Sequence, residues 1–228
     1  MLRTNNPSMP RPATRRFFSR DPESLARALL GTILVRTLDS GEILRATIVE
    51  TEAYLGPQDR ASHAYNGRRT PRNESMYAKP GTLYVYFTYG MHHCANIVCG
   101  RPDEPVAVLL RALEPIQGFD TMRANRSHPG AAPSTSIRDH ELCRGPGNLC
   151  KAFALDRTHD GLDMVGSPAL SVEIPSSVPI DDRRVSQGPR IGIGNAGEWT
   201  ATPARFWVRE SRSVSRSRRE PTGGERSV

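Results

Sequence analysis

The sequence predicts a single mixed α+β domain on a mainly antiparallel sheet. Three observations carry this. Two hairpin patterns, at 32–54 and 83–98, lie close together along the chain. No regular strand–helix–strand alternation connects them. A chain of 228 residues buries one core without disulfide or metal staples, and no repeat or domain boundary interrupts residues 20–209.

Asp21, Pro22 and Glu23 precede Leu25, Ala28 and Leu29, with Gly31 following. This predicts a helix capped by Asp, opened by Pro and closed by Gly. Residues 32–37, a 38–41 turn and residues 43–54 predict the first hairpin. Residues 83–88 and 94–98 predict the second, pivoting at Tyr89, Gly90 and Met91, and 107–112 a further strand. Helices are expected at 116–126 and 148–155, and strands at 190–194 and 205–209. The flanks hold too little apolar surface to offset the entropy of ordering. Residues 1–19 are therefore expected to be a disordered basic tail, 20–209 the folded domain, and 210–228 a disordered Arg/Ser-rich tail.

The net charge of +7 is unevenly placed: residues 1–20 carry five Arg and no acid, and 209–228 six Arg against three Glu. The body between is close to neutral, so overall basicity by itself reveals no binding face. Local clustering is more informative, because Arg60, Arg68, Arg69, Arg72 and Lys79 face Glu74 alone within 60–79. That is the composition of a loop able to contact phosphates. No apolar run approaches the roughly 18 residues of a membrane span, and the Arg-bearing N-terminus has no apolar signal core. A cytoplasmic protein without a membrane partner is expected. Cys94, Cys99, Cys143 and Cys150 have neither zinc-site nor redox-pair spacing. They read as reduced, partly buried thiols, and no metal or cofactor is expected.

Strand alternation would place Ile48, Glu50, Glu52 and Tyr54 on one face. A carboxylate beside an aromatic plate can hold an activated water against a sugar carbon while the attached ring is clamped, the logic of glycosidic cleavage. The same residues admit other readings: surface ion pairs, a glycoside hydrolase using Glu50 and Glu52 roughly 7 Å apart, or a non-catalytic lesion or RNA binder. Tyr84, Tyr86 and Thr88 share a second strand face. Tyr54 and Tyr86 on neighbouring strands could wall a slot for an extruded base. Tyr89, before Gly90 at a hairpin tip, is an exposed aromatic that calls for a partner. By residue type alone, His63, Asn96 and Arg111 fit a surface imidazole, a ladder-bridging amide and an ion-paired guanidinium equally well. The only lysines are Lys79 and Lys151, neither near the Glu52 strand. A strand-nicking Schiff-base mechanism therefore has no evident amine.

Six blocks in order, VETEAYLGP (49–57), TPRN (70–73), KPGTLYVY (79–86), YGM (89–91), LLRALEP (109–115) and NAGEW (195–199), closely resemble the alkyladenine (3-methyladenine) DNA glycosylase family. The match runs from about Ala26 to Val208. The resemblance implies a curved antiparallel sheet with a protruding β-hairpin. It also implies a monomeric, cofactor-free hydrolase that flips alkylated or deaminated purines out of duplex DNA and excises them in base-excision repair. Glu52 is then the general base, with Arg111 and the backbone carbonyl of Ile191 holding the water. Tyr54, His63 and Tyr86 form the base pocket, and Asn96 crowds the guanine 2-amino group. Tyr89 with Met91 is the minor-groove wedge. His92, where vertebrate members carry an aromatic residue, and Arg72 join them as DNA contacts. In use, such a bacterial enzyme is expected at the nucleoid.

Overall fold

The computed structural model describes residues 9–127 and 137–215. In chain order these form β1 (Arg11–Pro12), α1 (Arg15–Phe18), α2 (Pro22–Leu29), β2 (Ile33–Thr37), β3 (Ile43–Tyr54), β4 (Leu83–Thr88), β5 (His92–Val98), β6 (Ala107–Gln117), α3 (Phe119–Arg126), α4 (Pro146–Ala152), β7 (Leu170–Ile174), β8 (Val185–Gly188) and β9 (Arg205–Val208), with short 3-10 turns between. Every strand pairing is antiparallel. The order across the sheet is β1-β7-β2-β3-β6-β5-β4, with β9 paired to β3 and to β8.

The long strand β3 organises the sheet. Its first half pairs with β2, its 50–52 segment with β9, and its other edge with β6 along nearly its whole length. Helix α2 packs against it. The Asp21 side chain accepts 2.9 Å from Ser24 N–H, and Leu25, Ala26 and Leu29 face the core. That core joins α2 to β2, β3, β5, β6 and α4 through Leu34, Ile48, Ile97, Leu110, Leu149 and Phe153.

Several expectations need correction. The folded part begins before residue 20: β1 pairs with β7, and Phe17 and Phe18 are buried. Two aromatic side chains supply the apolar area that the Pro-rich composition hides. At the other end, Ser213 and Ser215 are buried against the domain, so the chain remains packed past 209. The remainder of the expected tails, 1–8 and 216–228, lies outside the described residues. Residues 116–117 extend β6 rather than opening a helix. Gly118, at φ 86°, marks the switch to α3. Residues 190–194 form a loop, because Gly192 and Gly194 take left-handed φ of 78° and 59° that no strand accommodates. Strands β1, β7 and β8 lie beyond those expected from sequence.

Candidate active site

Two bulges break the β3–β6 ladder where the site is built. The register slips between Ile48 and Glu50 on β3, and again between Glu50 and Thr51, where Arg111 is the extra residue on β6. The face expected to be common to Ile48, Glu50, Glu52 and Tyr54 is thereby interrupted, and Ile48 sits in the apolar core. Bulges re-aim side chains, and here Arg111 reaches two carboxylates. Its Nη1 lies 3.1 Å from Glu52 Oε1 and its Nε 3.2 Å from Glu50 Oε1.

Glu52 is fully buried and held on both oxygens. Oε1 accepts 2.7 Å from Ile191 N–H and is ion-paired with Arg111, and Oε2 accepts 3.0 Å from the Tyr54 hydroxyl. Burial and the nearby Glu52 charge push the Tyr54 pKa well up, so this phenol stays protonated and donating. Arg111 also stays charged: burial works against it, but Glu52 and Glu50 more than compensate, and its pKa rises. The group of Ile191 that touches Glu52 is its amide, beside the carbonyl expected to hold water.

Glu50 belongs to a separate arrangement. Also fully buried, it takes Arg111, Arg205 Nε at 2.8 Å and Ser215 Oγ at 2.8 Å on Oε1, and Ser215 N–H at 2.7 Å on Oε2. Of its partners only Arg111 lines the cavity, whereas Tyr54, Arg111 and Ile191 around Glu52 all do, so Glu50 is not placed as the second carboxylate of an inverting glycosidase across a sugar.

Beside this network opens a cavity of about 330 Å³. Tyr54, Arg111 and Ile191, all in contact with Glu52, line it on one side. His63, Tyr84, Tyr86, Cys94 and Asn96 line another, with Tyr89 at the rim. His63 packs edge-on to Tyr86, with centroids 4.5 Å apart, and its Nδ1 is 2.8 Å from the Tyr84 hydroxyl. Partial burial, then the charges of Arg72 and Arg68, lower its pKa, so the imidazole is neutral at pH 7. Asn96 is buried and donates 3.0 Å to the Tyr84 carbonyl, which fixes its amide plane. All four cysteines are free and buried, Cys94 against the cavity. Burial pushes the Cys94 thiol up, leaving it inert.

The β4–β5 hairpin closes with Tyr89 at φ 52° and Gly90 at φ 67°, and Met91 N–H returns 3.2 Å to Thr88 O. Two successive left-handed residues make a type I′ turn. Tyr89 is 78% and Met91 63% exposed. Arg72 donates 2.9 Å to the Phe87 carbonyl, bracing the hairpin from the basic loop. His92 turns away from the tip and packs on Gly147, where an added Cβ would lie 3.0 Å from its ring.

The sequence model of methylpurine-DNA glycosylases matches residues 16–212. The chain belongs to the methylpurine-DNA glycosylase family. It is 48% identical over 201 residues to the DNA-3-methyladenine glycosylase of Homo sapiens, a match covering 87% of this chain and 66% of that protein. With the Mus musculus protein of the same name it shares 49% over 203 residues, 60% of the relative's length. The chain thus spans about two thirds or less of these mammalian proteins. Against the putative 3-methyladenine DNA glycosylase of Clostridium botulinum (strain Alaska E43 / Type E3), identity is 41% over 202 residues, covering 89% of this chain and 98% of the relative.

Within this glycosylase fold, Glu52, Arg111, Ile191, Tyr54, His63, Tyr86 and Asn96 converge on one place, with Tyr89 at its rim, whereas Met91 and Arg72 stand outside the cavity lining. Sequence reasoning left out Arg190 and Asp59. Arg190 forms a buried two-pronged pair with Asp59, 2.5 and 2.8 Å, while its guanidinium stacks 4.8 Å from the Tyr54 ring centroid. Arg205 and Ser215, the partners of Glu50, were left out as well. An Arg beside the Gly-rich 190–194 segment was the available hint. Among the described residues, no helix is long and apolar enough to cross a membrane.

Proposed function

We propose that this chain is a monofunctional DNA glycosylase acting as a monomer on duplex DNA. It extrudes alkylated or deaminated purines of the 3-methyladenine type and hydrolyses their N-glycosyl bond. The observation that carries this reading is Glu52, oriented by Arg111, Tyr54 and Ile191 immediately behind an aromatic-lined cavity of about 330 Å³.

Extrusion costs a few kcal/mol, less for a badly paired lesion. Contacts with Tyr54, His63 and Tyr86 return about 1–3 kcal/mol per stacked base, and Tyr89 with Met91 fills the gap left in the duplex. Two hydrogen-bond donors, the Ile191 amide and the Tyr54 hydroxyl, take one acceptor position on each oxygen, which leaves the carboxylate able to accept the proton of a hydrolytic water. The anionic Glu52 also stabilises positive charge developing on the deoxyribose. Fixed by its bond to Tyr84 O, the Asn96 amide crowds a guanine 2-amino group and disfavours undamaged guanine. Lys79 is paired with Asp163 at 2.7 Å and Lys151 lies on α4. Neither lines the cavity, which supports hydrolysis without strand nicking.

The test follows base release from a duplex carrying one hypoxanthine and, separately, from methylated DNA, for wild type and Glu52→Gln. Release that collapses in the variant while DNA binding persists supports the reading. Tight lesion binding without release from wild type would overturn it in favour of a damage sensor, and borohydride trapping of a covalent DNA adduct would overturn the monofunctional assignment.

A further inference from the structure

The segment after β9 carries more order than its composition suggests. Ser211 Oγ donates 2.8 Å to Glu114 Oε2 on β6, and Arg144 Nη2 donates to the Arg212 carbonyl. The chain then turns inward, burying Ser213 and Ser215. Ser215 meets three charged side chains at once. Its N–H and Oγ donate to the two oxygens of Glu50, Arg111 Nη2 donates 3.2 Å to its Oγ, and Arg205 Nη2 donates 3.3 Å to its carbonyl. The family match ends at residue 212, so Ser215 lies beyond it.

We infer that residues 211–215 form a positioning clip for excision, in which Ser215 locks Glu50 and Arg205 and through them sets the guanidinium of Arg111 that orients Glu52. This rests on the assignment of Glu52 as the base. Arg111 spends Nη1 on Glu52, Nε on Glu50 and Nη2 on Ser215, so each edge of its plane is fixed by a different partner. Without the Ser215 hydroxyl, Glu50 loses one of its four donors and Arg111 Nη2 loses its acceptor, so Arg111 is free to swing toward Glu50 and away from Glu52. Misplacement of an orienting group by about 1 Å costs roughly 100-fold in rate. Ser215 never touches the cavity, which makes it a positioning residue.

The experiment uses the full chain. Single-turnover hypoxanthine release, affinity for a duplex with an uncleavable abasic-site analogue, and Tm are measured for wild type, Ser215→Ala, Ser215→Thr and Glu52→Gln. The inference expects Ser215→Ala to slow release roughly 10- to 100-fold with affinity and Tm near wild type, and Ser215→Thr, which keeps both donors, to restore the rate. A wild-type rate for Ser215→Ala beside an inactive Glu52→Gln overturns the clip and leaves the catalytic reading standing. Equal losses of rate, affinity and Tm that Thr does not restore also overturn it, reducing the segment to a structural strap. Full release by Glu52→Gln removes the base assignment and the clip together.

Discussion

Arg111 bridges Glu50 and Glu52 with different nitrogens, Nε to one and Nη1 to the other, at 3.2 and 3.1 Å. A planar fork can do this and a point charge cannot. Arg111→Lys is therefore expected to hold one carboxylate at a time, lowering single-turnover release at least tenfold. Arg111→Met leaves Glu52 without its ion pair and Glu50 with Arg205 as its remaining one, and should cost about 3–5 kcal/mol of stability. Urea unfolding beside the rate assay checks both. Release by Arg111→Lys at the wild-type rate would show that Glu52 needs no fork to orient it.

A neutral purine must be protonated before it leaves, whereas a cationic alkylpurine leaves unaided. The His63 pKa lies below its ordinary 6.5, so the protonated fraction falls away as pH rises through a value already under 6.5. At pH 7 and above the ring is a neutral hydrogen-bonding wall. His63→Gln should lower the amplitude of hypoxanthine release yet keep the shape of its decline between pH 6 and 9. Release of 7-methylguanine should show no such alkaline decline in either protein. Loss of the decline in His63→Gln would make His63 the acid.

Legibility followed the range of the interactions. Helix α2 and the two hairpins were plain because cap, turn and alternation all lie within a dozen residues. Tyr54 and Tyr86 line the same cavity, but not from neighbouring strands as the sequence suggests: β6 and β5 lie between β3 and β4. The bulge at Arg111, by contrast, is a relation between two strands, and it re-aims the side chain that makes the site. Asp59 with Arg190 and Glu50 with Ser215 are joined across more than a hundred residues, and neither partner has a local pattern. The 190–194 segment reads as strand by its Ile alternation, but the Ile191 amide is spent on Glu52 and the neighbouring glycines turn the chain away. Strand β7 does alternate, as Leu-Ser-Val-Glu-Ile, and was legible in principle. The family resemblance named His63, Asn96 and Ile191 of the cavity lining and passed over Asp59, Arg190, Arg205 and Ser215, which stand outside that lining.

Tyr89 pays in backbone strain for its place at the tip. A bulky residue at φ 52° costs on the order of 1 kcal/mol, and type I′ turns favour Asn before Gly. Tyr89→Asn should raise Tm by a few degrees, since about 1 kcal/mol shifts a domain of this size roughly 2–4 °C. The same change should weaken release from a well-paired lesion more than from an unpaired one, because the wedge matters most when the stack resists opening. Thermal melts and paired-against-unpaired rate ratios measure this. A lower Tm with an unchanged ratio would mean that Tyr89 packs on its own hairpin and has no role in the duplex.

Arg190 and Asp59 tie the two walls of the Glu52 site together. Asp59 accepts 3.0 Å bonds from Leu55 and Ala61 N–H, holding the loop after β3, while Arg190 donates 3.0 Å to Ala53 O and precedes the Ile191 amide that grips Glu52. Both side chains are fully buried, so removing one strands a charge. Arg190→Leu should cost about 3–5 kcal/mol, and Asp59→Leu a comparable amount. The double variant, with no orphaned charge, should regain much of that stability. It should not regain activity, because nothing then fixes the Ile191 amide or stacks on Tyr54. The informative quantity is the split between the two readouts: urea unfolding of the four proteins gives a coupling energy, and base release gives a rate. Additive stability losses would mean that the pair is not coupled, and a double variant restored in both stability and rate would reduce it to a packing element with no part in orienting the base.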